Sequence, residues 1–551
     1  MNRTSLQWVP NSLLWLHFLP LCWVWNCEPV GETPPAPDTT LEVSSSELTP
    51  APPVLARLTR LQYTSAISDL FGPTIVVPAG LEPDLVQDGL LSIGATVSSL
   101  SPVGVEKNAD IALKLADQIV LLDPIPTFFC PDSAHADCLE TRIRNGGRLI
   151  WRRPLAEDEV STLLKLGNAA RAALPDDPLA GERYVLVALL SSPYFLYRVE
   201  FGEPDPAVPE HRRYTAMELA SRLSFFLWSS VPDDLLLDAA DSGELLTEQG
   251  LSKQIDRMLA SPKIKRSVRN FFAEWLDLIS LDELNKDPTL FPHFAADLGA
   301  SAREETLRTV EHIIFEKDAD IRELLTTETT FVDKRLAALY GLPATVLDGF
   351  GQVQLPDFGQ RAGILGQVSF LAKQAHPVSS SATLRGLFIR ERLLCQPLPT
   401  PPANLNTAIP EPGPGALTLR DRLVVHMEEP SCAFCHAQTD PIGFGLENFD
   451  GIGRWRTTDN GALIDSTGDL DGTSFDGPRQ LNIAIATHPE FIPCVVSTFY
   501  SYASGRLPTS AEAAMLSELE AQFVQSGLRW PALMRLVALS DGFRKVAEVS
   551  P

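Results

Sequence analysis

The sequence is short of cations. It carries 45 Lys and Arg against 70 Asp and Glu, a formal net charge of -25 at pH 7. Nucleic-acid phosphates are gripped by clustered Lys and Arg, so this balance argues against nucleic acid as a partner, and against a basic face for anionic membranes. Motifs of hydrolytic and nucleotide chemistry are missing too: no nucleophile elbow, no H-E-x-x-H and no phosphate loop. The apolar run Ser12 to Trp25 is broken by His17 and Pro20. It falls short of the roughly 20 apolar residues a membrane-spanning helix needs. Methionine is scarce, with 6 in 551 residues. What is present is ample apolar material: 44% hydrophobic residues, enough for several cores, and a length that predicts multiple domains.

The N-terminus has the form of an export signal. Asn2 and Arg3 give a short cationic start, Ser12 to Trp25 an apolar centre, and Cys27 ends the run. An acidic stretch rich in Pro, Ser and Thr follows to Pro53, too polar to build a core. Two outcomes are open: lipidation of Cys27, making a membrane-anchored lipoprotein, or cleavage nearby, with Cys27 an incidental thiol. Either predicts an exported protein, periplasmic or on the outer membrane, that meets the membrane only through a lipid. Export permits disulfides. Beyond Cys22 and Cys27 remain Cys130, Cys138, Cys395, Cys432, Cys435 and Cys494. Cys130 and Cys138 close a short loop and are expected to pair. Cys395 and Cys494 flank the remaining two and are candidates to bridge each other.

The rest of the chain predicts a mainly α, multi-domain protein. The expected units are a signal peptide at 1–27, a linker at 28–53 and a helical module at 54–125. A helical module with the disulfide loop follows at 126–200, then a central helical domain at 201–345. A helical pair with a Pro-rich connector occupies 346–415. A cytochrome-c-like module fills 416–505 and a last helical module 506–551. Leu219, Leu223, Phe226 and Leu227 recur at helical spacing in the central region. Arg222, Glu274 and Glu305 there are expected to be solvated or to pair along helices. Turn signals around Ala462-Leu463-Ile464 suggest a small β-hairpin. Asp465, Asp469 and Asp471 lack the register and the closing Glu of a calcium loop.

One stretch carries chemistry. Cys432, Cys435 and His436 spell C-x-x-C-H, the spacing that attaches a c-type haem. Two thiols on one turn reach the two vinyl groups, and the adjacent imidazole becomes an axial ligand. A sixth ligand is less evident. Met515 and Met534 are the only methionines downstream, at amphipathic helix positions. His426 and Met427 lie closer, and an open iron is the third option. Arg454 and Arg385 are candidate partners for a haem propionate. The competing expectation is haem-free: Cys395, Cys432, Cys435 and Cys494 as a four-thiolate zinc site or as two disulfides, in a cell-surface scaffold or binding protein. A hydrolytic or binding role of the central helices is a further alternative.

Several segments resemble one family as a set: RLTRLQYTSAISDLFG, WRRPLAEDEV, SSPYFLYRVE, ELASRLSFFLWSSVPDD, FVDKRLAALYGL, TLRGLFIRERLL, CAFCHAQTDPIGFGLENFDGIGRWR and YSYASGRLP. In this order they resemble the secreted modular family of domains of unknown function associated with planctomycete-type cytochrome c proteins. The resemblance spans about residues 55 to 545. It implies export, frequent lipid anchoring and a covalent haem at Cys432, Cys435 and His436. The family's D-P-x-G-F-x-L-E-N-F-D maps onto Asp440, Pro441, Gly443, Phe444, Leu446, Glu447, Asn448, Phe449 and Asp450. With the C-x-x-C-H site, the expected role is electron transfer or haem-assisted oxidoreduction with an envelope redox partner that the residues do not identify.

Overall fold

In a computed structural model, residues 50–122, 138–206, 212–357, 361–399 and 409–547 are described. Cys27 and Cys130, the export signal and residues 400–408 of the Pro-rich connector lie outside them. The structure is 58% helical, with only short antiparallel strand pairs. No helix among the described residues is long and apolar enough to cross a membrane.

Helices begin where the sequence supplies caps. Thr59, Thr215 and Thr418 each accept the N–H three residues on, while Gln62, Glu218 and Asp421 reach back to the cap nitrogen. These reciprocal pairs satisfy two orphan donors apiece. The first core packs Arg60–Phe71, Pro102–Ile119, Cys138–Trp151, Glu157–Ala173 and Ala180–Ser191 around Ile67, Leu115, Ile143 and Leu186. Strand Leu55–Arg57 pairs with Tyr197–Val199 and closes this layer. A second, larger core centres on Ala216–Trp228, Ile264–Trp275, Phe491–Ser504 and Trp530–Leu539. There Phe226, Phe271, Phe499 and Trp530 interlock, with ring centroids 4.6 to 5.3 Å apart. Such aromatic pairs add about 0.5–1.5 kcal/mol each beyond their burial. The chain end returns to the middle, as Lys545–Val546 pairs with Arg212–Arg213. Two hairpins follow the C-x-x-C-H helix. Thr458–Asp459 pairs with Ala462–Leu463, and Thr467–Leu470 with Thr473–Asp476.

Three charged residues of the central helices are not solvated, contrary to expectation. Arg222, Glu274 and Glu305 are all buried. Arg222 donates to Glu200 at 2.5 Å and to the Phe543 carbonyl at 3.0 Å. Glu274 accepts the backbone N–H groups of Leu91 and Ser92, holding the helix Leu91–Val97 against the central region. The three Asp residues serve the hairpins. Asp465 accepts from Thr467, Asp469 from the Gly472 N–H, and Asp471 is forked by Arg390.

Glu305 gives a pH prediction. Its carboxylate accepts from Thr330 and Tyr340, each at 2.7 Å, and Arg361 stacks on Tyr340. Burial pushes its carboxyl up to about 7, over the opposing pull of those two hydrogen bonds and of Arg361; Asp333 pushes it further up. A carboxyl raised in the folded state keeps its proton where the unfolded chain has lost it. Its contribution is full below the ordinary value of 4.5 and is lost as pH rises through about 7. Urea unfolding of Glu305→Gln beside the wild type is therefore expected to show the variant gaining relative stability with pH. The gain is about 1.4 kcal/mol per pH unit at most, levelling above neutrality. A difference that does not change with pH would refute the assignment.

Candidate functional site

The C-x-x-C-H residues stand on the helix Pro430–Gly443, which starts with proline at its first position and runs into the short turn Phe444–Leu446. Two helices position it. Leu419–Glu428 precedes it directly, and Ala382–Phe388 crosses it at backbone contact. That crossing depends on two glycines. A Cβ on Gly386 would sit 1.9 Å from the Thr439 carbonyl oxygen, and one on Gly443 1.9 Å from that of Ala382.

Close packing lets one helix hold the other's chemistry. His436 Nδ1 lies 2.7 Å from Oδ2 of Asp440, one turn on. Asp440 is fully buried, and its other oxygen accepts from Thr383 at 2.7 Å and from Thr439 at 3.2 Å. A carboxylate on one ring nitrogen fixes the tautomer, with the proton on Nδ1, and leaves Nε2 as the ligating atom. Nε2 lies 3.2 Å from Nδ1 of His426, the two rings edge to face with centroids 4.8 Å apart. Beside them is a cavity of about 430 Å³, lined by Leu384, Leu387, Ile409, Leu423, Cys435 and both histidines, among others. Cys432 and Cys435 are free thiols, partly exposed, and Phe434 between them is 60% exposed.

The other sequence candidates fall elsewhere. Cys395 and Cys494 form a disulfide that ties the segment after Ile389–Leu393 to the helix Phe491–Ser504. As a disulfide they supply no thiolates, so the four-thiolate zinc arrangement is not assembled. Among the described residues no group of three or more His, Cys, Asp or Glu is arranged to hold a metal ion. Cys138 is disulfide-bonded. Met427 is partly exposed on the last turn of Leu419–Glu428 and does not line the cavity. Neither proposed propionate partner lines it. Arg385 is fully buried, its guanidinium donating to the carbonyls of Leu371, Leu446, Phe449 and Asp450. Arg454 is exposed at a turn that Asp450 closes by accepting its backbone N–H. In the sequence Asp440 stands only as the first residue of the D-P-x-G-F-x-L-E-N-F-D match. Its place four residues after His436 was the available signal, since i,i+4 side chains meet on a helix.

The residues fit a covalent haem. The two thiols are unpaired, the imidazole is oriented from behind, and Cys435 and His436 line the adjoining cavity, while Cys432, one turn earlier, does not. One adjustment is required. The 3.2 Å between the histidine nitrogens is less than twice a metal–nitrogen bond of about 2.0 Å. The two cannot hold one iron from opposite faces without moving apart.

Comparison with known proteins finds five family models along the chain, each described as a protein of unknown function. DUF1587 matches residues 56–121, DUF1595 138–200 and DUF1592 214–342. DUF1588, with the short name PSCyt3, matches 361–459, and DUF1585 matches 471–543. Ala382–Phe388 and Pro430–Gly443, joined by the glycine crossing, fall within the one DUF1588 match. No curated protein and no solved structure matches the chain. With these five domains in this order, the chain belongs to the modular family of domains of unknown function associated with planctomycete-type cytochrome c proteins.

Proposed function

We propose that this chain is an exported c-type haem protein acting in electron transfer or haem-assisted oxidoreduction at the cell envelope. The observation that carries the proposal is His436, pinned through Nδ1 to the buried Asp440, lining a cavity, with two free thiols just before it on the same helix. A bound haem c supplies a one-electron couple whose potential follows its axial ligands and the polarity around it. Cys432 and Cys435 would hold the group through thioethers. His436 would ligate the iron through Nε2. Asp440, accepting Nδ1–H, makes that nitrogen a stronger donor and keeps the ring from turning. His426, beside His436 at the cavity, would be the candidate for a further iron ligand. Leu384, Leu387 and Leu423 keep water from the apolar side. Cys27 is the proposed lipid anchor if the chain stays at the membrane.

The test is expression with haem-maturation machinery, followed by denaturation. Haem that stays with the unfolded chain and gives a c-type absorption spectrum supports the proposal. Protein that carries stoichiometric zinc, or no cofactor at all, overturns it.

A further inference from the structure

Four of the five family matches meet at a second cavity, of about 500 Å³, which neither His426 nor His436 lines. Asp88, Gly89 and Leu90 come from the DUF1587 match and Trp275 from DUF1592. Glu391, Arg392 and Cys395 come from DUF1588, and Ser497, Thr498 and Ser501 from DUF1585. Small-molecule sites favour such junctions and span roughly 300–1,000 Å³.

Local sequence builds the walls. Ile389–Leu393 is a π-helical turn, closed by the Leu394 N–H on the Ile389 carbonyl at 3.1 Å. Turns of this rare kind occur frequently at functional sites. It brings Glu391 and Arg392, adjacent in sequence, to the same cavity. Facing it is a two-residue reverse turn, in which Gln87 and Leu90 exchange N–H bonds to each other's carbonyl at 3.1 and 2.9 Å. Asp88 and Gly89 at its tip have φ 48° and 78°. The glycine is needed, because a Cβ there would fall 1.5 Å from Nη1 of Arg392. On the helix Phe491–Ser504, Ser497, Thr498 and Ser501 recur at helical spacing and all line the space. The Cys395–Cys494 disulfide ties this helix to the segment that carries Glu391 and Arg392.

What sets this cavity apart is charge without a partner. Among the described residues Arg392 has no carboxylate within ion-pair distance, and its guanidinium makes no hydrogen bond; its backbone carbonyl accepts the Trp275 indole N–H at 2.8 Å. Glu391 is exposed and likewise unpaired among them. Asp88 accepts only the side-chain amide of Gln87, at 3.2 Å, through one of its two oxygens. The Ser497 hydroxyl is unengaged, and Ser501 Oγ donates to the Ser497 carbonyl and keeps its lone pairs. One cation and two anions thus face one space without neutralising each other. An anionic ligand would meet Asp88 and Glu391, and a cationic one Arg392. A ligand that carries both charges suits all three: the guanidinium forks a carboxylate, with Ser497 donating beside it, and the two acids hold an ammonium. Leu90, Trp275 and Leu507 leave apolar wall for the rest of the molecule. We propose that this cavity binds a small zwitterion, either a free α-amino acid or a short peptide. The site does not depend on the proposed haem.

The experiment is calorimetric titration of the full chain with glycine, leucine, lysine and glutamate, and with dileucine and trileucine. N-acetyl-leucine, which lacks the ammonium, and leucinamide, which lacks the carboxylate, are run in parallel. Saturable binding of at least one uncapped ligand is expected, with a Kd of about a millimolar or tighter. Loss of either charge from that ligand is expected to weaken it about tenfold or more. Arg392→Gln is expected to cost about as much, and Asp88→Asn several-fold. Asparagine tolerates the left-handed backbone of residue 88, and Asp88 does not line the cavity of His436, as Glu391 does. Unchanged thermal unfolding of either variant shows that its loss is not one of folding. Tighter binding of the peptides assigns the ligand to a peptide, and equal or weaker binding assigns it to the free amino acid. The proposal is overturned by no saturable binding of any uncapped ligand. Capped forms that bind as tightly, or binding indifferent to both substitutions, overturn it equally.

Discussion

Replacing Cys432 and Cys435 together by alanine is expected to leave a folded protein that loses all its haem on denaturation. The two thiols belong to no core cluster, and neither is in a disulfide. Their removal opens no large cavity, so the expected change in stability of the haem-free chain is small, within about 0.5 kcal/mol. Single replacements should each retain a haem held by one thioether, with a shifted absorption band. His436→Ala should leave attachment possible and remove the proposed iron ligand. Asp440→Asn separates positioning from ligation. The ring then loses its carboxylate and gains freedom to turn, so haem is expected to attach while the reduced spectrum and the potential shift. His426→Ala should move the spectrum only if His426 has swung onto the iron. The set is read by haem stain after denaturing electrophoresis and by absorption spectra of the native protein. Full covalent haem in the double variant would remove Cys432 and Cys435 from the attachment role.

Much of the fold was legible because helices announce themselves locally. Caps at Thr59, Thr215 and Thr418, and apolar spacing such as Leu219, Leu223 and Phe226, need only a dozen residues to be read. The buried charges were not legible, because what makes them tolerable lies far along the chain. Glu200 is 22 residues from Arg222, and Tyr340 is 35 from Glu305; the Leu91 N–H is 183 from Glu274. Composition statistics place such residues on the surface; only tertiary contact supplies the donors that keep them inside. The candidate site divides in the same way. C-x-x-C-H is contiguous and stood out at once. Thr383, which holds the far side of Asp440, comes from a helix 57 residues earlier and has no sequence signal. Gly386 and Gly443 could be seen as glycines, but not as the two halves of one crossing.

The second large effect is expected from Arg385→Ala, and it follows from what that side chain does in place of meeting a propionate. The loop after the C-x-x-C-H helix turns back on itself, bringing the carbonyls of Leu446, Phe449 and Asp450 to one point. A fourth carbonyl, from Leu371, arrives from another helix. Carbonyls converging away from water need a donor, and the Arg385 fork serves all four at 2.7 to 3.3 Å. Burial lowers the guanidinium only to about 10, so it stays charged at neutral pH. It also lies 3.6 Å from Glu447, which Arg456 and Ser380 hold from the other side. Truncation to alanine strands the carbonyls and leaves a buried carboxylate with less countercharge. Removing one partner of a buried pair alone costs about 3–5 kcal/mol. The stranded carbonyls push the total toward the upper end or beyond it, a large fraction of the 5–15 kcal/mol that holds a typical domain. Arg385→Lys keeps the charge but not the fork, so it should recover part of the loss and not all of it. The measurement is urea unfolding of the two variants and the wild type. Parallel limited proteolysis should cut first in the Asp440 to Arg456 segment if the damage is where the carbonyls are. An Arg385→Ala protein as stable as the wild type would mean that the loop holds itself and that the guanidinium is free for another partner after all.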